Sequence, residues 1–240
     1  MNELRAILLD LDDTLYDHSY PSRKAIEETI TLSTALNAAG ADSVEVQHRY
    51  WLELLHVEVA KGARTLDDAR RERWWRILQH FGGDTSQANH LADAQRENYL
   101  RHERAVPGSI EGIAGLRAAG YALAIVSNNT RAEQLGKLKR LGMIDAFAEI
   151  VVSADHGVNK PDARLFHIVL DRLGVLAAEA VHVGDSWTAD VEGATNAGIQ
   201  PVWFNRFGAT AMRSGVPEVA ELRDLLVVLR YGFEPGEVRS

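Results

Sequence analysis

The sequence predicts an α/β fold in which a doubly wound parallel sheet carries an inserted bundle of four helices, and three features predict it. Five short apolar runs, at residues 6–9, 122–126, 150–152, 180–183 and 201–204, have the length and composition of strands buried on both faces. Between residues 20 and 104 the spacing is helical throughout, so the first run is cut off from the others by a block of different architecture. The runs also lead into Asp, Ser, Asn and Lys clusters, at the carboxyl ends of strands where such sheets bind ligands.

The first strand, Ala6 to Leu9, feeds directly into Asp10, Leu11, Asp12, Asp13 and Thr14. Extended backbone projects Asp10 and Asp12 to the same side, at roughly 6 to 7 Å between Cα atoms by the rise per residue. One ligand atom could meet both. Pro21 suits the first turn of a helix, and Ile26, Ile30 and Leu36 keep helical spacing across residues 22–39, with Gly40 as the stop. A second helix over 44–61 sets Val46, Tyr50, Leu54 and Leu55 on one side, with Gly62 beyond. Thr65 caps a third, striped by Trp74, Ile77, Leu78 and Phe81, and a fourth covers 86–102. Trp74 and Trp75 read as the core of this bundle. A helical cap domain over residues 17–104 therefore interrupts an α/β core made of residues 1–16 and 105–240.

Pro107 and Gly108 mark the return to the core. A helix over 110–119 ends at Gly120, and the strand 122–126 stops at Ser127, Asn128 and Asn129. The helix 131–141, the strand 150–152 and a polar loop to Lys160 and Pro161 come next. Then follow a helix over 162–173, a strand over 180–183 running into Gly184 and Asp185, a helix over 190–197 and the strand 201–204. Right-handed crossovers make this order a doubly wound sheet. A last helix over 218–230 packs on it, and residues 231–240 read as a loose end.

Composition limits the functions open to the chain. At 240 residues it can bury a full core, and a net charge of −8 disfavours nucleic-acid polymers and anionic membranes as partners. An anionic ligand would need local help from a cation, a lysine or a helix amino terminus. The absence of cysteine rules out disulfides, thiolate catalysis and cysteine-bound zinc. No run is long enough to span a bilayer and no leader pattern opens the chain, so the expectation is a cytoplasmic protein, monomer or homodimer.

Phosphoryl transfer accounts for the polar clusters together. An ionised Asp10 is a nucleophile and a proton-carrying Asp12 a general acid. Thr14, Ser127 and Asn128 are candidate contacts to phosphoryl oxygens. Lys160 can sit beside those oxygens and hold Asp10 ionised. Asp185 and Asp190 add two acids, and a hard cation that takes one or two carboxylates plus phosphate oxygen fits Mg²⁺. Asp10 and Asp185 are its expected side-chain ligands; Asp190 suits either ligation or support of the lysine. Taken singly, each cluster also reads as a turn, a helix cap or a surface charge. Their shared order argues for a site.

LLDLDDTL, VSNN, NKPD and VGDSWTAD, with a helical insert after the first, resemble the four motifs of the haloacid dehalogenase-like (HAD) hydrolase superfamily over about residues 6–205. The resemblance implies a Rossmann-like core, a mobile helical cap and an aspartyl-phosphate mechanism. It implies Asp10 as nucleophile, Asp12 as general acid and base, Ser127 as phosphate contact, Lys160 as the third-motif lysine and Asp185 as metal ligand. The Asp12 carbonyl would also bind Mg²⁺, and Asp190 matches the second acid of the fourth motif. Dehalogenases of the superfamily lack the second aspartate, because halide leaves without a proton. The expected activity is therefore a Mg²⁺-dependent phosphatase acting on a small phosphorylated metabolite such as a nucleotide, sugar phosphate or phosphoglycolate. A 2-haloacid dehalogenase, a phosphomutase and a non-catalytic binding module on the same fold are the alternatives.

Overall fold

A computed structural model describes residues 3–60 and 62–231. The chain divides into two compact units, Met1–Tyr16 with Ala105–Ser240, and Asp17–Arg104.

The first unit is built on six parallel strands: β1 (Ala6–Leu9), β2 (Ala122–Ser127), β3 (Glu149–Val152), β4 (Ala180–Gly184), β5 (Gln200–Phe204) and β6 (Glu218–Val219). Their spatial order is β3-β2-β1-β4-β5-β6. Ala6 is in register with Ala122 on one side and Ala180 on the other. Connections leaving β1 and β4 run to opposite halves of the sheet, so their loops part and leave a crevice beyond the carboxyl ends.

All four residues of β1 are sealed from solvent, which is why the run reads as unbroken apolar. Ala6 and Leu8 meet Ala124, Val126 and Val151 under Leu165, Phe166 and Val169 of α8 (Ala163–Leu173) and Ala194 of α9 (Gly193–Asn196). Burying each large side chain there stabilises the fold by about 1.5–3 kcal/mol. Among the described residues, α6 (Ser109–Ala118), α7 (Arg131–Arg140) and α10 (Leu225–Tyr231) also belong to this unit. Asp162 caps α8 by accepting from the N–H of Arg164, and Thr130 caps α7 by accepting from that of Glu133.

Two elements differ from the sequence expectation. In place of a regular helix over 190–197, a π-helical turn, Trp187–Glu192, precedes the short α9, and the N–H of Val191 reaches back to the Ser186 carbonyl at 3.3 Å. The wide turn faces Asp190 inward. Glu218 and Val219, expected to open a helix, form the sixth strand opposite Trp203 and Phe204. Trp203 N–H bonds the Pro217 carbonyl at 2.8 Å and Asn205 N–H the Val219 carbonyl at 2.9 Å, satisfying an edge that the helical reading leaves open. The expected loose end falls on residues 232–240, outside the described residues.

The second unit holds α1 (Ser19–Thr29), α2 (Thr34–Ala39), α3 (Ala41–Ala60), α4 (Leu66–His80) and α5 (Ala88–Arg101). The helix expected over 22–39 is broken by a 3₁₀ turn, Ile30–Leu32, and an extended Ser33 (φ −135°, ψ 122°). The break falls in a β-branched and hydroxyl-rich stretch, where Thr31 Oγ1 bonds the Glu28 carbonyl at 2.7 Å and competes with the helix ladder. The stripe expected on the next helix is also displaced. Leu55 is buried as expected, but Val46, Tyr50 and Leu54 are exposed, and Val44 and Val59 share the buried face with Leu55. Both sets keep helical spacing; His48, buried between Val44 and Leu55, disguises the true inward face. Ile26, Ile30, Leu36, Val44, Trp74, Ile77, Leu78 and Leu91 make the main core, with Trp75 packed at its edge. Among the described residues no helix is long and apolar enough to cross a membrane.

Candidate active site

Asp10 is the first residue beyond β1, and its N–H bonds the Val183 carbonyl of β4 at 2.9 Å, carrying the sheet pairing up to the carboxylate. Lys160 Nζ donates to Asp10 Oδ1 at 2.5 Å and to Asp190 Oδ1 at 2.6 Å, all three side chains being buried. Asn128, at the end of β2, grips the lysine's backbone from both sides. Its Nδ2 donates to the Lys160 carbonyl at 3.0 Å and its Oδ1 accepts from the Lys160 N–H at 2.7 Å. The Lys160–Pro161 bond is cis. Asp185 follows Gly184 at the end of β4, and one carboxylate oxygen each from Asp10, Asp185 and Asp190 lies within 4.8 Å of the others.

The crowding sets the electrostatics. Burial, with repulsion from Asp190 and Asp12, outweighs Lys160 and pushes the Asp10 carboxyl up to about 7. Asp185 is pushed up to about 8 by burial and by Asp10, Asp190 and Asp13. Burial acts the same way on Asp190, but Lys160 and His182 prevail and hold it well below the usual carboxylate range. The lysine loses to burial and gains more from Asp10 and Asp190, so it is raised and stays charged.

Asp190 is engaged at both oxygens. Oδ1 takes the bond from Lys160 and another from His182 Nε2 at 2.9 Å, and Oδ2 accepts from the Ser186 N–H at 3.0 Å. Burial lowers the His182 imidazole, so it is neutral and donates this hydrogen. The approach requires Gly184, since a Cβ there would fall on the Asp190 carboxyl group. Trp203 Nε1 donates to the Asp185 carbonyl at 2.8 Å and braces that loop from β5.

Asp12 is held at both carboxylate oxygens by α7: Lys137 Nζ lies 2.5 Å from Oδ1 and Gln134 Nε2 2.9 Å from Oδ2. Gln134 Nε2 also donates to Ser127 Oγ at 2.6 Å, linking two motifs. Between the two acids' loop and β5, Asp13 adopts a left-handed conformation (φ 59°) and accepts from Arg206 Nη2 at 2.6 Å. Asp10, Asp12, Ser127, Lys160, Asp185 and Asp190 thus converge at one end of the sheet. Thr14 and Asn128 are placed differently: Thr14 Oγ1 is sealed from solvent without a hydrogen-bond partner among the described residues, and the Asn128 amide is used on Lys160.

Lys137, Gln134, His182 and Arg206 lie outside the motif pattern. Gln134 and Lys137 are three apart on one helix face, a spacing that puts both over a single neighbour. His182 is a polar residue inside a buried strand, which demands a partner. Arg206 carries no comparable signal.

The family model for haloacid dehalogenase-like hydrolases matches residues 4–198. The chain belongs to that family. Among relatives, it is 30% identical to the glyceraldehyde 3-phosphate phosphatase of Methanopyrus kandleri over 95% of this chain and 97% of that protein. To the ribulose-1,5-bisphosphate 5-phosphatase of Halopiger xanaduensis it is 32% identical, over 83% and 84%. Solved family folds that superpose include the magnesium-bound HAD hydrolase YfnB of Bacillus subtilis, at TM-score 0.75 and 24% identity, covering 95% of this chain and all of that one. A 2-haloacid dehalogenase of Pseudomonas syringae matches at TM-score 0.62 and 28% identity, over 94% and 98%.

Proposed function

We propose that this family member is a Mg²⁺-dependent phosphatase of a small phosphomonoester, working through an aspartyl phosphate on Asp10. The observation that carries the reading is the second carboxylate, Asp12, fixed at both oxygens two residues from Asp10. Displacing halide needs no proton donor, whereas an alkoxide leaving group does.

In the first step an Asp10 oxygen attacks phosphorus in line, the bond from phosphorus to the ester oxygen breaks, and Asp12 gives its proton to that oxygen. In the second, Asp12 takes a proton from water, whose oxygen attacks the phosphoryl group and returns Asp10 as carboxylate. Lys137 and Gln134 hold the Asp12 carboxyl in one position for both proton transfers. Ser127 and Lys160 bind phosphoryl oxygens, and Asn128 holds Lys160 in place. Thr14 serves the packing beneath the loop.

The donor set fits a hard divalent cation: three carboxylates crowd one lysine, and burial and mutual repulsion raise two of them. Asp10, Asp185 and the Asp12 carbonyl would hold it. When bound, Mg²⁺ offsets repulsion between the anionic nucleophile and the phosphate. Asp190, with both oxygens engaged, is assigned to holding Lys160 and not to the metal. The unit Asp17–Arg104 takes the part of the family's cap.

The test is hydrolysis of an aryl and an alkyl phosphate by wild type, Asp10→Asn and Asp12→Asn with and without Mg²⁺. Asp10→Asn should be inactive on both esters, and Asp12→Asn should lose about 10²–10⁴-fold on the alkyl ester and much less on the aryl ester. Chloride release from 2-haloacids without Mg²⁺, or equal Asp12→Asn losses on both esters, would overturn the assignment.

A further inference from the structure

The helical unit contains a buried cation without a counter-charge. Arg73 of α4 is 7% exposed, and among the described residues no carboxylate lies against it. Among the described residues its one hydrogen bond joins Nη1 to His48 Nε2 at 3.0 Å, and its buried Nε has no partner. A guanidinium has five donors, so most of them are unused. His48 supplies no charge: burial, then Arg73 and His18, hold its imidazole well below the ordinary value, so it is neutral and accepts. The charge felt most strongly is repulsive. Burial and then Arg70 lower the Arg73 guanidinium to about 10, which leaves it cationic at neutral pH.

The chain does not lack carboxylates with which to neutralise it. Its net charge is −8. Arg23, a third exposed, is bound by Glu27, Asp42 and Glu45, and the more exposed Arg76 by Glu72. The arginines that water already stabilises have acids, and the one that burial penalises has a neutral histidine. A buried charge without a partner opposes folding. Such a residue is kept against stability where a ligand supplies the missing charge.

We propose that Arg73 anchors a binding site for a small oxyanion, a carboxylate or a phosphate group, in the helical unit. The free edge of the guanidinium presents parallel N–H groups at the spacing of two carboxylate or phosphate oxygens. The Nη1 bond to His48 fixes the plane of the fork, and the His48 ring is in turn seated 5.8 Å from that of Trp74, tilted at 57°. Arg70, whose Nη1 is 2.8 Å from Asp67 Oδ1, adds to the positive potential. The oxyanion is a free anion in solution, and the site does not depend on the phosphatase reading.

The experiment uses the full chain in EDTA, as wild type, Arg73→Met and Arg73→Lys, with sodium sulfate as the probe. Thermal unfolding and calorimetric titration are both followed. Wild type should bind sulfate and melt higher in its presence by mass action. Arg73→Met should melt no lower than wild type without sulfate and show only the general salting effect that sulfate has on any protein. Arg73→Lys, keeping the charge without the fork, should bind about tenfold more weakly, the loss expected for one charge-assisted bond. Equal sulfate binding by wild type and Arg73→Met overturns the site. So does an Arg73→Met that is strongly destabilised while wild type ignores sulfate, which would make the arginine a structural member.

A wild type that binds sulfate through Arg73 and hydrolyses no phosphate ester would refute the phosphatase reading and leave the site standing.

Discussion

Replacing Lys160 by Met removes the cation bonded to both Asp10 and Asp190 while nearly preserving side-chain length, so the loss is one of charge and not of packing. Breaking a buried ion pair by deleting one partner costs about 3–5 kcal/mol, because the other partner is left charged and dry. For units of this size each kcal/mol moves the midpoint by about 2–4 °C, so the melting temperature of the α/β unit should fall by on the order of 6–20 °C. The pH dependence has a definite sign. Asp10 and Asp185 are raised to about 7 and about 8, so at pH 8 the deleted charge exposes ionised acids to one another, whereas at pH 5 both already hold protons. Asp190, held ionised at both pH values, loses its lysine in either case, so the gap between wild type and Lys160→Met should persist at pH 5 and be wider at pH 8. Circular dichroism melts in EDTA at the two pH values measure it. A gap of a degree or less at pH 8, or a larger one at pH 5, would refute the argument that the lysine neutralises these carboxylates.

Two other outcomes follow from the same acids. The raised carboxyls of Asp10 and Asp185 favour the folded, cation-free protein below pH 4, and that contribution is lost as pH rises through about 7 to 8. Mg²⁺ at a hundred times its Kd should return about 2.7 kcal/mol at pH 8 and much less at pH 5. Equal Mg²⁺-induced shifts in melting temperature at both would separate the metal from these residues. Gly184→Ala should push Asp190 off Lys160 and His182, lowering stability by about 1–3 kcal/mol and reducing kcat more than it changes KM; unaltered melting and kinetics would show that Asp190 needs no such close approach.

The sheet was legible because strands buried on both faces leave an unbroken apolar signal, and because the chemistry sits where each strand stops. Asp10, Lys160 and Asp185 could be read from type and position alone. What escaped the sequence depended on tertiary choice. Val46, Tyr50 and Leu54 keep helical spacing as well as Val44, Leu55 and Val59 do, and only packing against α4 and its neighbours selects between them. The edge strand Glu218–Val219 is two residues long, too short for any period to register. Lys137 and Gln134 were hidden for another reason: on a surface-rich helix, Lys and Gln carry no mark of the carboxylate they will meet more than a hundred residues away.

The chain departs from the α/β unit after Tyr16 and rejoins it at Ala105, and those two residues are bridged to each other. Just outside them the N–H of Asp17 bonds the carbonyl of Arg104 at 3.1 Å. The eighty-eight residues Asp17–Arg104 thus form one uninterrupted insertion, and no motif acid lies within it. An exchange made at those two points would replace the helical unit in one piece and leave every motif acid on its own strand end.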